Sequence, residues 1–319
     1  MRSLPLIDFS VTAGRVQKIE TACRDIGFMN IVGHGIAATT IAQARTAVIN
    51  YFELPMHIKL GDRISPDNYR GYIPTKFFNA NSGDAVADNY EGYKLHFEVP
   101  SDHPVCSACD LYGPNKWPEN PRHFKRHLLN YWHECDRVAT VLLGALAEIL
   151  GTARDPFLQL FTTPLTNMTL LHYPPQTADS SAYGIHPHKD TDALTILAPD
   201  PVGGLFVKCC DDDEWLKAEP PNDALIVNIG DLLELWSGGY FVSTPHKVVN
   251  TGSAERYSFP YFAVPRFDTI VTPLRLPVPG FERVDIHVGD VSRAVWQSNW
   301  PDAAPIDARF DPAVFAGRQ

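Results

Sequence analysis

Apolar positions recur with two different periods along this 319-residue chain, and the change of period divides it. After a short apolar run at Leu6 and Ile7, the residues Val16, Ile19, Ala22, Cys23 and Ile26 return every three or four positions, which predicts an amphipathic helix behind a first short strand. A longer stripe of Leu128, Trp132, Cys135, Ala139, Leu142, Leu146 and Ile149 predicts a helix over about 124–150, its apolar face packed under a sheet. From Met168 onward the helical period is lost. Short runs such as Leu170-Leu171-His172-Tyr173, Leu205-Phe206-Val207, Leu225-Ile226-Val227 and the stretch from Tyr257 to Phe262 alternate with turn residues, the pattern of a β-sandwich or barrel.

Two stretches fit neither period. Positions 67–98 gather Tyr69, Tyr72, Phe77, Phe78, Tyr90, Tyr93 and Phe97 beside glycines, which reads as irregular structure over an opening, either part of a substrate lid or aromatic packing beneath a loop. From Phe267 onward, Pro273, Pro277 and Pro279 predict an extended tail packed on the core.

The strand-rich half also carries candidate chemistry. In His188-Lys189-Asp190 an extended backbone points the first and third side chains to one side, so both can reach one metal while Lys189 points away. A third donor is His246, within the extended-looking Phe241 to Val249, and turn residues Asn250-Thr251-Gly252-Ser253 follow. Two imidazoles and a carboxylate can occupy one face of an iron(II) octahedron and leave the opposite positions open for a cosubstrate and dioxygen. If the chain reverses near Thr251, Arg256 and Ser258 return towards His246, again two positions apart and on one side. A guanidinium fork grips a carboxylate through two parallel hydrogen bonds, so a dicarboxylic cosubstrate suits the arrangement.

The order and spacing of these groups resemble the isopenicillin N synthase-like family of iron(II) and 2-oxoglutarate-dependent oxygenases. The matching words are Gly184 to Asp190, Leu194 to Leu197, Gly203-Gly204-Leu205, Val227 to Leu233, Ser243 to Asn250 and Glu255 to Ser258. In the N-terminal half, Pro5 to Asp8, Cys23 to Phe28, Gly33 to Ile36, Leu54-Pro55 and Tyr69 to Tyr72 match as well, so the likeness runs from Pro5 to Pro265. It implies iron(II) on His188, Asp190 and His246, with the far carboxylate of 2-oxoglutarate on Arg256 and Ser258 and Tyr173 near the same end. It also implies oxidative decarboxylation to succinate and carbon dioxide, with hydroxylation of a small organic substrate as the default outcome and desaturation or ring closure as variants.

Lys189 stands where a small hydroxyl residue is common in the family, and His186 precedes the first ligand by two positions. Strand alternation turns His186 towards the same cavity, which makes it a candidate substrate contact together with Tyr72 and Phe262. The implied fold is α+β with a mainly β core, a double-stranded β-helix (jelly roll) flanked by N-terminal and central helices. Its expected parts are an N-terminal α/β region at 1–110, a helical support at 111–165, the jelly-roll core at 166–270 and a C-terminal tail at 271–319, all in one compact catalytic unit. Three alternatives stay open: a family oxidase that uses iron and dioxygen alone or with ascorbate, a zinc hydrolase on the same three ligands, and a noncatalytic jelly-roll binding module.

Charge and cysteine content narrow the setting. With 27 basic against 37 acidic side chains the formal charge is -10, which disfavours a nucleic-acid partner. Asp211-Asp212-Asp213-Glu214 reads as a solvated hairpin tip. There is no signal-like apolar core near Met1 and no apolar run of membrane-spanning length, so the expectation is a cytoplasmic protein without a membrane partner, its oligomeric state open. Six cysteines do not make a disulfide scaffold in a chain this long, and Cys106/Cys109 and Cys209/Cys210 read as ordinary thiols.

Overall fold

The computed structural model describes residues 3–78, 87–176, 183–208, 214–250, 252–281 and 285–298. Strands β1 (Leu6–Asp8) and β2 (Phe28–Val32) run parallel, joined through α1 (Arg15–Asp25), which buries Ile19, Ala22 and Cys23. Helices α2 (Ala38–Phe52) and α3 (Met56–Gly61) precede β3 (Gly71–Ile73) and β4 (Glu91–His96). The short α4 (Pro104–Ala108) leads to α5 (Phe124–Leu150) and α6 (Arg154–Gln159). Helix α5 keeps the stripe expected of it, and it stops at Gly151, whose φ of +72° and capping N–H bond to Glu148 are the left-handed end that glycine accepts without strain.

The strand-rich half follows: β5 (Asn167–Tyr173), β6 (Ile185–His188), β7 (Leu194–Leu197), β8 (Leu205–Lys208), β9 (Trp215–Lys217) and β10 (Leu225–Ile229). After α7 (Asp231–Trp236) come β11 (His246–Val248), β12 (Arg256–Ser258) and β13 (Tyr261–Ala263). A larger sheet has the order β1-β2-β10-β7-β13-β5-β4-β3, with β12 also paired to β5; a smaller sheet has the order β6-β11-β8-β9. The first four strands of the chain therefore belong to the same sheet as β5, β7, β10, β12 and β13.

Alternation decides what each face of the larger sheet meets. On β5, Met168 and Leu170 turn outward into a core shared with α1, α2 and α5. Leu171 and Tyr173 turn inward, where they pack with Leu205, Val207 and Val248 of the smaller sheet. Inter-strand register extends the inward row to Lys94, Phe262, Thr195 and Asn228, all polar or half-buried positions that share the space between the sheets. Two facing sheets with a polar strip between them make the jelly roll that the resemblance implied, and that strip is where the chemistry sits.

Three expectations need correction. The 67–98 stretch is not wholly irregular: β4 is a six-residue strand inside the larger sheet, paired with β5 along its length, while positions 79–86 lie outside the described residues. The C-terminal stretch is not only an extended tail, because β14 (Ile270–Val271) pairs with β15 (Ile286–His287) and α8 (Val288–Ser298) follows. Pro273, Pro277 and Pro279 all precede α8, and none falls inside it, so they shape the approach and leave the helix free to form. Tyr72 is paired opposite Tyr93, on the outward face, and so cannot line the space between the sheets.

Cys106 and Cys109 carry free thiols at the end of α4, whereas Cys209, Cys210 and Asp211 to Asp213 lie outside the described residues. Among the described residues no helix is long and apolar enough to cross a membrane.

Candidate active site

His188 closes β6 and His246 opens β11, and the two residues are direct partners in the antiparallel register, their ring centroids 4.3 Å apart. Asp190 lies just past the end of β6 rather than within it; its backbone carbonyl accepts from Asp231 N–H at the start of α7. The His-x-Asp spacing thus works by leaving the strand. The Asp190 Oδ1 atom is 3.8 Å from His188 Nε2 and 3.6 Å from His246 Nε2, and all three donors fall within 4.8 Å of one another. One ion with bonds of about 2.0–2.2 Å to nitrogen and oxygen reaches all three.

The orientation of the imidazoles is set from behind. His188 Nδ1 lies 2.8 Å from the His186 carbonyl and His246 Nδ1 lies 3.2 Å from the Thr244 carbonyl. A carbonyl only accepts, so each Nδ1 carries the proton and each Nε2 presents its lone pair inward. Burial pushes the His246 imidazole down in pKa, which favours the neutral ligand form. Burial alone would raise the Asp190 carboxyl, but positive charge at the two-imidazole end, which a metal supplies when the rings are neutral, and hydrogen bonds from Thr195 and Asn228 outweigh it and hold the group below the usual carboxylate range. The donor set, its tautomers and its ionisation fit a divalent metal.

Thr195 Oγ1 donates to Asp190 Oδ2 at 2.5 Å and Asn228 Nδ2 donates to the same oxygen at 2.8 Å, leaving Oδ1 for the metal. Thr195 Oγ1 is also 2.9 Å from Asp192 Oδ2. One hydroxyl proton cannot serve two carboxylates. Burial and the neighbouring Asp190 raise Asp192 well above the usual range while Asp190 is held low, which favours the hydroxyl's bond to Asp190. Thr195 and Asn228 were not singled out by the sequence, although a polar residue recurring on one side of an otherwise apolar strand is the signal that marks both.

Arg256 is a pair partner of Tyr173 across β12 and β5, and its guanidinium carbon sits 4.7 Å from the tyrosine ring centroid. It is 2% exposed, its Nε donates to the Gly203 carbonyl at 2.5 Å, and its Nη1 has no partner among the described residues. Gly204 makes that anchor accessible: its φ is +88° and an added Cβ would fall 2.4 Å from the Val249 carbonyl oxygen. Ser258 lies on the same inward face, buried. The route by which Arg256 arrives differs from the simple reversal the sequence suggested, since β11 belongs to the smaller sheet and β12 to the larger one. Thr251 lies outside the described residues.

The expected substrate contacts separate. His186 is buried and held by Asp88, whose Oδ1 is 2.6 Å from its Nδ1 and accepts its backbone N–H at 2.9 Å. It also serves the site through its carbonyl, which fixes His188. Phe262 is inward and half-buried, beside Asn167 and Thr195. Tyr72 is fully buried on the other face, donating to Glu91 Oε2 at 2.5 Å, because pairing with β4 sets the phase of β3.

Comparison with known proteins gives this geometry its family. The 2OG-Fe(II) oxygenase superfamily model matches residues 165–265, and a model for the non-haem dioxygenase in morphine synthesis N-terminal region matches residues 4–120. Clavatol oxidase claD of Penicillium crustosum is 32% identical over 278 residues, covering 82% of both chains. The chain belongs to the 2OG-Fe(II) oxygenase superfamily. Another relative of this dioxygenase, the 2-oxoglutarate-dependent dioxygenase tropC of Talaromyces stipitatus, is 31% identical and covers 81% of this chain and 82% of its own. The crystal structure of JOX2 in complex with 2OG, Fe and JA superposes with a TM-score of 0.79 at 26% identity, covering 95% of this chain and 87% of that one. The protein is thus an iron(II) and 2-oxoglutarate-dependent dioxygenase with a jelly-roll core, and the alternatives of zinc hydrolysis and ligand binding without catalysis fall away.

Proposed function

We propose that His188, Asp190 and His246 bind the iron(II), that Arg256 and Ser258 hold the far carboxylate of 2-oxoglutarate with Tyr173 beneath, and that the substrate is a small organic molecule hydroxylated between the sheets. When bound, iron(II) with 2-oxoglutarate and dioxygen supplies the oxidant that removes hydrogen from carbon, with release of succinate and carbon dioxide.

The single observation that carries this reading is the unpartnered Nη1 of Arg256, buried on the inward face of the larger sheet, opposite the smaller sheet that carries His188 and His246. A buried guanidinium N–H without an acceptor is costly, and a carboxylate relieves it through charge-assisted hydrogen bonds. The chain's own tasks are positional. The carbonyls of His186 and Thr244 aim the imidazoles, Thr195 and Asn228 keep one carboxylate oxygen occupied, and Gly203 holds the guanidinium by its Nε. Gly184 supports the same end, since an added Cβ would sit 2.8 Å from the Tyr173 ring. The JA bound in the JOX2 structure, like the relatives' names, supports a small molecule as substrate.

Arg256→Lys tests the assignment. A lysine keeps the charge but loses the planar fork, and hydrogen bonds to charged groups contribute about 1.5–3 kcal/mol, so the KM for 2-oxoglutarate should rise about 10-fold to 100-fold. Succinate production with an unchanged KM would remove Arg256 from the cosubstrate site.

A further inference from the structure

Lys94 lies in the middle of β4, opposite Thr169, on the inward face of the larger sheet. Its Nζ donates to Asn167 Oδ1 and Thr169 Oγ1, each at 2.8 Å, and stands 5.5 Å from the centre of the Phe262 ring. Both acceptors are neutral. Two residues on, His96 is 3% exposed and its Nε2 has no partner among the described residues. Arg70, also 3% exposed, donates to the Leu111 carbonyl and to Asn68, and its Nε is likewise unpartnered.

None of the three has a carboxylate within ion-pair distance among the described residues, although the whole chain carries 37 acidic side chains against 27 basic ones. Lys59, by contrast, is buried with a carboxylate beside it: its Nζ is 2.7 Å from Glu91 Oε2. Asp190 and Asp192 act on Lys94 only from beyond contact distance, so no acceptor touching its Nζ carries a charge, and a buried ammonium in that position is unfavourable unless a ligand supplies one. The cost is visible in their titration. Burial pushes Lys94 down to about 7, and burial together with the neighbouring Arg70 and Lys94 charges pushes His96 well below the ordinary imidazole range.

The surroundings set the shape of the missing partner. His96 meets the Trp296 ring edge-on at 4.7 Å, and Trp296 stacks on Tyr69 at 4.8 Å, so α8 brings a flat aromatic wall to this end of the cavity. Along the inward face, Asn167 pairs with Phe262 and Phe262 with Thr195, which holds Asp190. From β4 to β7 is three strand spacings, about 14 Å at 4.8 Å per strand. Those are backbone distances; the side chains reach inward, so that Lys94 feels the Asp190 charge, with Phe262 between β4 and β7 on the same face.

We infer that Lys94, supported by His96 and Arg70, is the specificity-determining contact for an anionic substrate, an aromatic or similarly planar carboxylic acid whose carboxylate takes the Lys94 ammonium and whose flat body lies between Phe262 and Trp296. The inference rests on the reading of the inter-sheet space as the dioxygenase's substrate site. A carboxylate arriving at Nζ adds the charged acceptor that Asn167 and Thr169 do not provide, and it raises the proton affinity of the amine, so binding and protonation reinforce one another.

The test uses the full chain loaded with manganese(II), which occupies the metal site without turnover, and saturated with 2-oxoglutarate so that Arg256 is already engaged. Benzoate, phenylacetate and cinnamate are titrated calorimetrically against the corresponding primary amides. At least one acid should bind about 10-fold or more tightly than its amide, the range expected of a charge-assisted hydrogen bond. Lys94→Met should abolish the preference while leaving amide binding and 2-oxoglutarate binding as they were, and Lys94→Arg should retain it. The inference is overturned if no acid is preferred over its amide, or if the preference survives in Lys94→Met. Failure of 2-oxoglutarate itself to bind would instead count against the cosubstrate assignment, and circular dichroism of each variant separates both results from unfolding.

Discussion

Thr195→Val isolates the support of the metal site from the site itself. The substitution keeps the branched shape and removes one hydroxyl, so Asp190 Oδ2 loses a 2.5 Å hydrogen bond and keeps only the 2.8 Å bond from Asn228. A hydrogen bond to a charged group contributes about 1.5–3 kcal/mol. In the metal-free protein Asp190 can answer the loss by taking up a proton, but a carboxylate bound to a metal cannot. The larger penalty therefore falls on the loaded form, and metal affinity should drop about 10-fold to 100-fold, while the metal-free protein loses the Thr195–Asp192 contact at a cost of about 1 kcal/mol. Calorimetric titration with manganese(II) in the presence of 2-oxoglutarate measures the first quantity, and a thermal melt in chelator measures the second. Asn228→Ala should behave alike, and the double variant should lose more than the sum of the two, because only then is Oδ2 left without any donor except through water. A dissociation constant within twofold of wild type for Thr195→Val, in a folded protein, would refute the reasoning.

Three further outcomes follow from the geometry. Tyr72→Phe removes the buried hydroxyl that donates to Glu91 and should cost about 1 kcal/mol in urea unfolding without changing the KM for any substrate; a KM change would mean that the outward face communicates with the site. His172 sits between Glu91 and Glu255, and although burial lowers it, these carboxylates more than offset that and raise its pKa above the ordinary histidine value. Its contribution to stability is thus complete below the unfolded pKa of about 6.5 and lost as pH rises through the higher folded value, so His172→Gln should flatten the fall in melting temperature across that window. Arg256→Lys should raise the KM for 2-oxoglutarate far more than it lowers the melting temperature, which a pair of thermal melts and saturation curves reads directly.

The site was legible from sequence to the extent that local periodicity carries it. His188, Asp190 and His246 converge because a strand end and a strand start face each other, and Arg256 and Ser258 share the inward face because they are two apart. Tyr72 was misplaced for the complementary reason: β3 has three residues, and its phase is set by pairing with β4, which no local pattern states. The same strand hid Lys94. A lone lysine among Tyr93, Leu95 and glycine looks like a solvent-facing position of a half-exposed strand, and only the register with β5 turns it to the inward face of the sheet. Helix α8 went unread because prolines dominate the composition just before it, while the aromatic wall it supplies through Trp296 depends on where the chain returns. Helix α5, with a stripe sustained over 27 residues, needed no such context.

The central claim is that three side chains hold one catalytic ferrous ion, and anaerobic iron(II) titration with parallel measurement of succinate formation under air tests it most directly. Wild type should bind one equivalent and convert 2-oxoglutarate to succinate, even without its own substrate, at a slow uncoupled rate. Asp190→Ala should lose both properties while remaining folded. An Asp190→Ala protein that still binds one equivalent with wild-type affinity and forms succinate at the wild-type rate would contradict the account.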